Sequence, residues 1–98
     1  MIVRLTDEAK RDLEAIGDWI ARNDPRQAVR FVRALRESCL GLADFPERFP
    51  LLPRHEAHGV RHRVHGNYLI FYRVLNDQVV VLHVLHGAVD YAPILFPS

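Results

Sequence analysis

Ala9, Leu13, Ile16 and Ile20 recur at steps of four, three and four, the spacing that lines one face of an α-helix. Trp19 stands on the flank of that face. The pattern predicts a helix opening at Thr6, whose side chain can accept a free N–H of the first turn. Asp7 and Glu8 then fall where the helix dipole favours acids. Gly17 interrupts the helix and is expected to let a neighbouring helix approach closely. A second helix is predicted after Asn23-Asp24-Pro25: Asp24 caps, Pro25 fits the first helical position, and Gln27 stands three residues after the cap. Ala28, Phe31, Val32, Leu35, Cys39 and Leu42 carry its apolar face to about Ala43. So short a link makes the two helices antiparallel neighbours. Arg26, Arg30 and Arg33 share a different face of the second helix, either solvated or turned toward a partner.

The period then changes. Residues 44–59 hold three prolines, which remove donors and restrain their predecessors, so a long loop is expected, pinned to the core by Phe45, Phe49, Leu51 and Leu52. Three strands follow, over 60–64, 68–74 and 79–86, joined by turns at His65-Gly66-Asn67 and Asn76-Asp77. In the first, valines alternate with basic residues, which predicts one buried face and one presenting Arg61 and Arg63. The second places Tyr68, Ile70, Tyr72 and Val74 on one side and Leu69, Phe71 and Arg73 on the other. The third is apolar on both sides, as a doubly covered strand should be. With a weak strand at residues 2–5, the order is strand, helical hairpin, long loop and three-stranded antiparallel meander. That is an α+β domain with the helices packed on one sheet face. Only a short, proline-containing tail follows residue 90, a single helical turn at most, so the other face is expected to leave apolar surface bare for a partner.

Composition narrows the function classes. A chain of 98 residues is a single domain with a thin core. No segment approaches the ~20 apolar residues needed to span a bilayer, and residues 1–5 run straight into charge, so a cytoplasmic location is expected. The net charge is +1, far from that of a domain built to grip phosphates, and no sequence-specific nucleic-acid binding is expected. Twelve of the thirteen basic residues are arginine, which suits planar contacts at a protein interface. Cys39 is the only cysteine and lies on an apolar helical face, where it reads as a small buried hydrophobe. Among six histidines, His83 and His86 are three apart on a strand, as are His62 and His65, so neither pair converges. No metal or other cofactor is implied. RNA cleavage would need a base, an acid and cations around the phosphate, for which Arg61, Arg63, Arg73, His86 and Tyr91 are the candidates.

The segments "FPERFPLLP", "GVRHRVHGNYLIFYRV" and "VVVLHVLHGAVDY" resemble toxins of the ParE/RelE superfamily from type II toxin-antitoxin modules. The resemblance spans nearly the whole chain and is most specific at Gly59-Val60-Arg61, at Tyr68 through Arg73, and at Val84 through Ala88, with Asp90 closing the motif. Two branches of the superfamily have different activities: RelE-like toxins cleave mRNA on the ribosome, whereas ParE-like toxins poison DNA gyrase. RelE-like ribonucleases are similar at Arg61 and Arg63 but carry an arginine where this chain has Leu69, and a basic residue around 87–89, where this chain has none. A missing cation at the scissile phosphate forfeits transition-state stabilisation, which favours the gyrase branch. Relatives often read His-x-Ala-Arg-Asp where Val89 replaces the arginine. On the gyrase reading no residue is catalytic; on the ribonuclease reading Arg61, Arg63, His86 and Tyr91 are. The resemblance further implies a ParD-like antitoxin whose disordered tail folds on the toxin to give a hetero-oligomer. Its expected contacts are Leu13, Trp19, Phe31, Tyr68 and Tyr72. Arg61, Arg63, Arg73, His86 and Asp90 are expected to face the target.

Overall fold

The computed structural model describes residues 1–98. Strand β1 (Ile2–Leu5) leads into the helical hairpin α1 (Asp7–Ala21) and α2 (Pro25–Leu40); β2 (Arg61–His65), β3 (Tyr68–Leu75) and β4 (Gln78–His86) follow, and α3 (Ala92–Leu95) is a single turn. Both expected caps form: Thr6 Oγ1 accepts from the Ala9 amide at 3.1 Å, and Asp24 Oδ1 accepts from the Gln27 amide at 3.0 Å. The second helix stops at Leu40 and gives way to a three-ten turn over Gly41–Ala43, slightly short of its apolar pattern. A Cβ on Gly17 would lie 3.2 Å from Val32 Cγ2, so the glycine lets the two helices pack closely at this point. The loop over 44–59 contains two further three-ten turns, Pro46–Arg48 and Glu56–His58, each too short to disturb its irregular course.

The sheet order is β1-β4-β3-β2, with β2, β3 and β4 antiparallel and β1 parallel to β4. Asn76 at φ 55° and Gly66 at φ 58° make the two hairpin turns; both residue types tolerate the left-handed region at low cost. Opposite the Phe71/Tyr72 step, β4 bulges at Leu82, which pairs with nothing on β3. There β1 has already ended, and α1 supplies the missing partners. The Thr6 amide and hydroxyl donate to the carbonyls of Val81 and Leu82 at 3.0 and 2.9 Å, and Asp12 Oδ2 accepts from the Val84 amide at 2.9 Å. Buried strand backbone left unpaired would cost about 1–3 kcal/mol per group, so these contacts dock α1 on the bulge.

Leu13, Leu35, Cys39 and Leu42 of the helical layer meet Ile70, Tyr72, Val79, Val81 and Val84 of the sheet in the main core. The opposite face is also covered, contrary to the expectation of a bare surface. Phe71 is fully buried there with Leu52 and Val60, and Leu69, Leu82 and Leu85 pack under Tyr91, Leu95 and Phe96. The loop adds its own edge pairing: Leu52 donates to Val60 at 2.9 Å and Pro50 accepts from His62 at 3.1 Å. Phe96 stacks on both His55 and His58, with ring centroids 4.8 and 4.1 Å apart. A tail without helical or strand periodicity thus seals the face by tertiary contact, which no local pattern signals.

Candidate functional site

One row of side chains crosses the end of the sheet where β2 turns into β3: His65 pairs with Tyr68, and Tyr68 with His86. From α2, the Phe31 ring reaches His65 and Tyr68 at 5.7 and 5.5 Å, and Tyr68 meets His86 edge-on at 5.3 Å. Ser38 Oγ lies 2.7 Å from His65 Nδ1, fixing that ring. From α1, Trp19 stands 63% exposed with the Arg22 guanidinium 5.1 Å above its ring. Asp12, Ile16, Trp19, Tyr68 and His86 help line an open groove of about 450 Å³ along this row. A shelf of half-buried rings with polar rims suits an amphipathic partner segment, because aromatic side chains bring large contact areas at little entropy cost.

Local sequence explains the assembly. Gly87 donates its amide to the Asn67 carbonyl at 2.8 Å, and a Cβ there would come within 3.3 Å of that oxygen, so a side chain would push the exit of β4 slightly away from the β2–β3 turn. His86 Nδ1 accepts the Ala88 amide at 3.1 Å, so the neutral ring carries its proton on Nε2. Asp12 also binds His83 Nδ1 at 2.8 Å, which sends His83 and His86 to different partners. Of the expected partner contacts, Trp19, Phe31 and Tyr68 belong to the shelf. Leu13 and Tyr72 do not: they are 1% and 0% exposed, held in the main core, and Tyr72 donates its hydroxyl to the Pro46 carbonyl. Burial also raises the Tyr72 pKa, an effect the nearby Arg61 partly opposes. His65 and Ser38 join the shelf without having been picked out beforehand. His65 had a usable signal, its place opposite the first residue of the next strand across a two-residue turn, whereas Ser38 had none.

The strand arginines lie differently from the expected solvent face. Arg61 and Arg63 pair with Tyr72 and Ile70, and so lie on the helix-covered side at the sheet's edge. Arg61 donates to the carbonyls of Glu47 and Phe49 at 3.0 and 2.7 Å, and Arg63 to that of Ser38 at 2.9 Å. The Arg63 and Arg48 guanidinium groups lie 5.0 and 4.8 Å from the Phe49 ring. On the other face, Arg73 donates to the His58 carbonyl at 3.0 Å. These cations satisfy carbonyls of the 44–59 loop and of α2, where no regular ladder is available. Val64, beside them, is 64% exposed. Tyr91 sits against Phe71, centroids 5.1 Å apart, under the tail and across the sheet from His86. The structure therefore divides the set Arg61, Arg63, His86 and Tyr91 between two faces. Asp90 is exposed in the turn before α3.

This architecture recurs in solved structures of two toxin-antitoxin systems. A chain of the chromosomal ParDE toxin-antitoxin system from P. aeruginosa superposes with a TM-score of 0.76 at 22% identity, covering 88% of this chain and 95% of that one. A chain of the RelBE2 toxin-antitoxin complex from Mycobacterium tuberculosis superposes with a TM-score of 0.64 at 31% identity, covering 87% and 88%. No curated protein sequence matches. The sequence model of the ParE toxin of type II toxin-antitoxin systems matches residues 3–91; the chain belongs to the ParE toxin family.

Proposed function

We propose that this toxin acts in the cytoplasm by binding, as an inhibitor of DNA gyrase, and that a ParD-like antitoxin neutralises it by folding a segment along the shelf of Trp19, Phe31, Tyr68 and His86. The observation that carries this reading is the engagement of Arg61, Arg63 and Arg73 by the chain's own carbonyls. A ribonuclease would aim such cations at the scissile phosphate, preorganised for charge that develops in the transition state. The division of His86 from Tyr91 across the sheet points the same way, since a general acid and base must reach one substrate. Support for the antitoxin comes from the shelf and from the two superposed structures, both of toxin-antitoxin systems. An antitoxin segment that orders only on binding can bury such a surface and remain open to proteolysis beforehand.

Purified protein added to gyrase in a supercoiling assay should inhibit the reaction or trap cleaved DNA, and antitoxin should reverse the effect. A second reading, ribosome-dependent mRNA cleavage, is favoured by the higher identity to the RelBE2 chain, 31% against 22%. Cleavage of mRNA in a translation extract, abolished by R61A/R63A, would establish that reading and remove the first.

A further inference from the structure

A second surface, away from the shelf, has no role in the proposal above. On the outer side of the helical hairpin, α1 and α2 enclose an open groove of about 930 Å³. Its floor is apolar, with Gly17 and Val32 in contact and Val29 58% exposed. Its walls differ in charge: Glu14 and Asp18 from α1, with Lys10 beyond them toward the start of the helix, face Arg33 and Arg36 from α2. None of these is in an ion pair, the chain's two being Arg11 with Glu8 and His83 with Asp12. The asymmetry extends along both helices. Five acids against two bases give α1 a charge of −3, and four arginines against one glutamate give α2 +3.

We propose that this face is a self-association surface, on which two copies of the chain stack hairpin on hairpin about a twofold axis running along the helices. A twofold contact must be complementary to itself, and this one is. The rotation places α1 of each copy over α2 of the other while preserving helix direction, so the crossing helices are antiparallel and their dipoles oppose favourably. The register follows from the Gly17–Val32 contact. At the same height along the axis, Glu14 of one copy comes level with the turn from Arg33 to Arg36 of the other, and Asp18 with Arg30 and Arg33. Acids meet arginines on both sides of an apolar seam. A foreign helix would have to carry acids on one flank and bases on the other to match as well.

Helices of 15 and 16 residues are ~23 Å long and, two abreast, ~20 Å wide, a face of roughly 450 Å² on each copy. Two such faces, about 900 Å² together, fall below the standard specific interface and in the range of weak, transient contacts, so the dimer should be reversible and salt-sensitive. Sedimentation of the purified chain at about 100 µM should show a dimer in about 50 mM salt that dissociates in about 0.5 M salt. E14R/D18R and R33E/R36E change exposed charges only; each alone should sediment as a monomer, and an equimolar mixture should regain the dimer, because both cross-contacts are then complementary. A wild-type monomer under the low-salt condition, a dimer unaffected by either reversal, or a mixture that fails to associate would overturn the proposal. The two charge reversals lie outside the shelf of Trp19, Tyr68 and His86, and gyrase inhibition and antitoxin binding are assayed separately from sedimentation.

Discussion

One face of the sheet is closed by two helices of four turns each, whose leucines interdigitate with valines at full burial; the other is closed by a loop and a tail over a cluster of just three fully buried residues, Leu52, Val60 and Phe71. The difference is one of redundancy. Helix-side contacts repeat at every turn and share a single continuous core, so each depends on its neighbours. Tail-side closure depends on a few aromatic contacts, Tyr91 on Phe71 and Phe96 on two histidines. The first face should therefore set global stability, and the second should open locally while the rest of the fold persists.

Truncation on each side tests that contrast. Leu35→Ala leaves a cavity in the fully buried helix-side core and is expected to cost about 2–5 kcal/mol, read as a lower denaturation midpoint with loss of all structure together. Tyr72→Phe strands the buried Pro46 carbonyl and should cost about 1–3 kcal/mol while loosening the 44–59 loop. Phe96→Ala should cost about 1 kcal/mol, since its ring is half-buried, and hydrogen exchange should quicken around Phe71 and Tyr91 but not in α1 and α2. Equal losses from Leu35→Ala and Phe96→Ala would abolish the distinction between the faces.

The smallest effect concerns pH. His62 pairs with Phe71 on the tail side, its Nδ1 is buried without a hydrogen-bond partner, and burial lowers its pKa below the ordinary 6.5. Between the depressed folded value and 6.5 the unfolded chain binds more protons, so stability rises with pH in that window and falls on acidification from 6.5 downward. His62→Gln should flatten this slope in urea melts taken at successive pH values. An unchanged slope would remove His62 from the pH dependence.

Much of the helix-covered half was legible because its signals are local. Thr6 and Asp24 cap where their side chains can reach the first turns, Pro25 opens α2, and the leucine spacing names the buried face. Cys39 behaves as the small hydrophobe its position suggests, burial pushing its thiol pKa up to about 11. The strand alternation of β3 was equally readable, and Asn76 took the turn conformation its residue type allows. What escaped depends on contacts between distant segments. Nothing near Arg61 or Arg63 announces the carbonyls of Phe49 and Ser38 that claim them. Phe96 gives no local sign of packing between two histidines of a loop some forty residues earlier. The shelf was half visible through Trp19, Phe31 and Tyr68, and the unseen half, His65 and Ser38, came from hairpin register and helix placement.

The parallel pairing of β1 with residues 78–81 bears on when the sheet can close. β1 has no neighbour in the sheet until β4 has been synthesised, and such long-range closure is intrinsically slow. α1 docks on the same late strand through Thr6 and Asp12. Sheet closure and the docking of α1 are therefore late events, and both wait on the synthesis of β4.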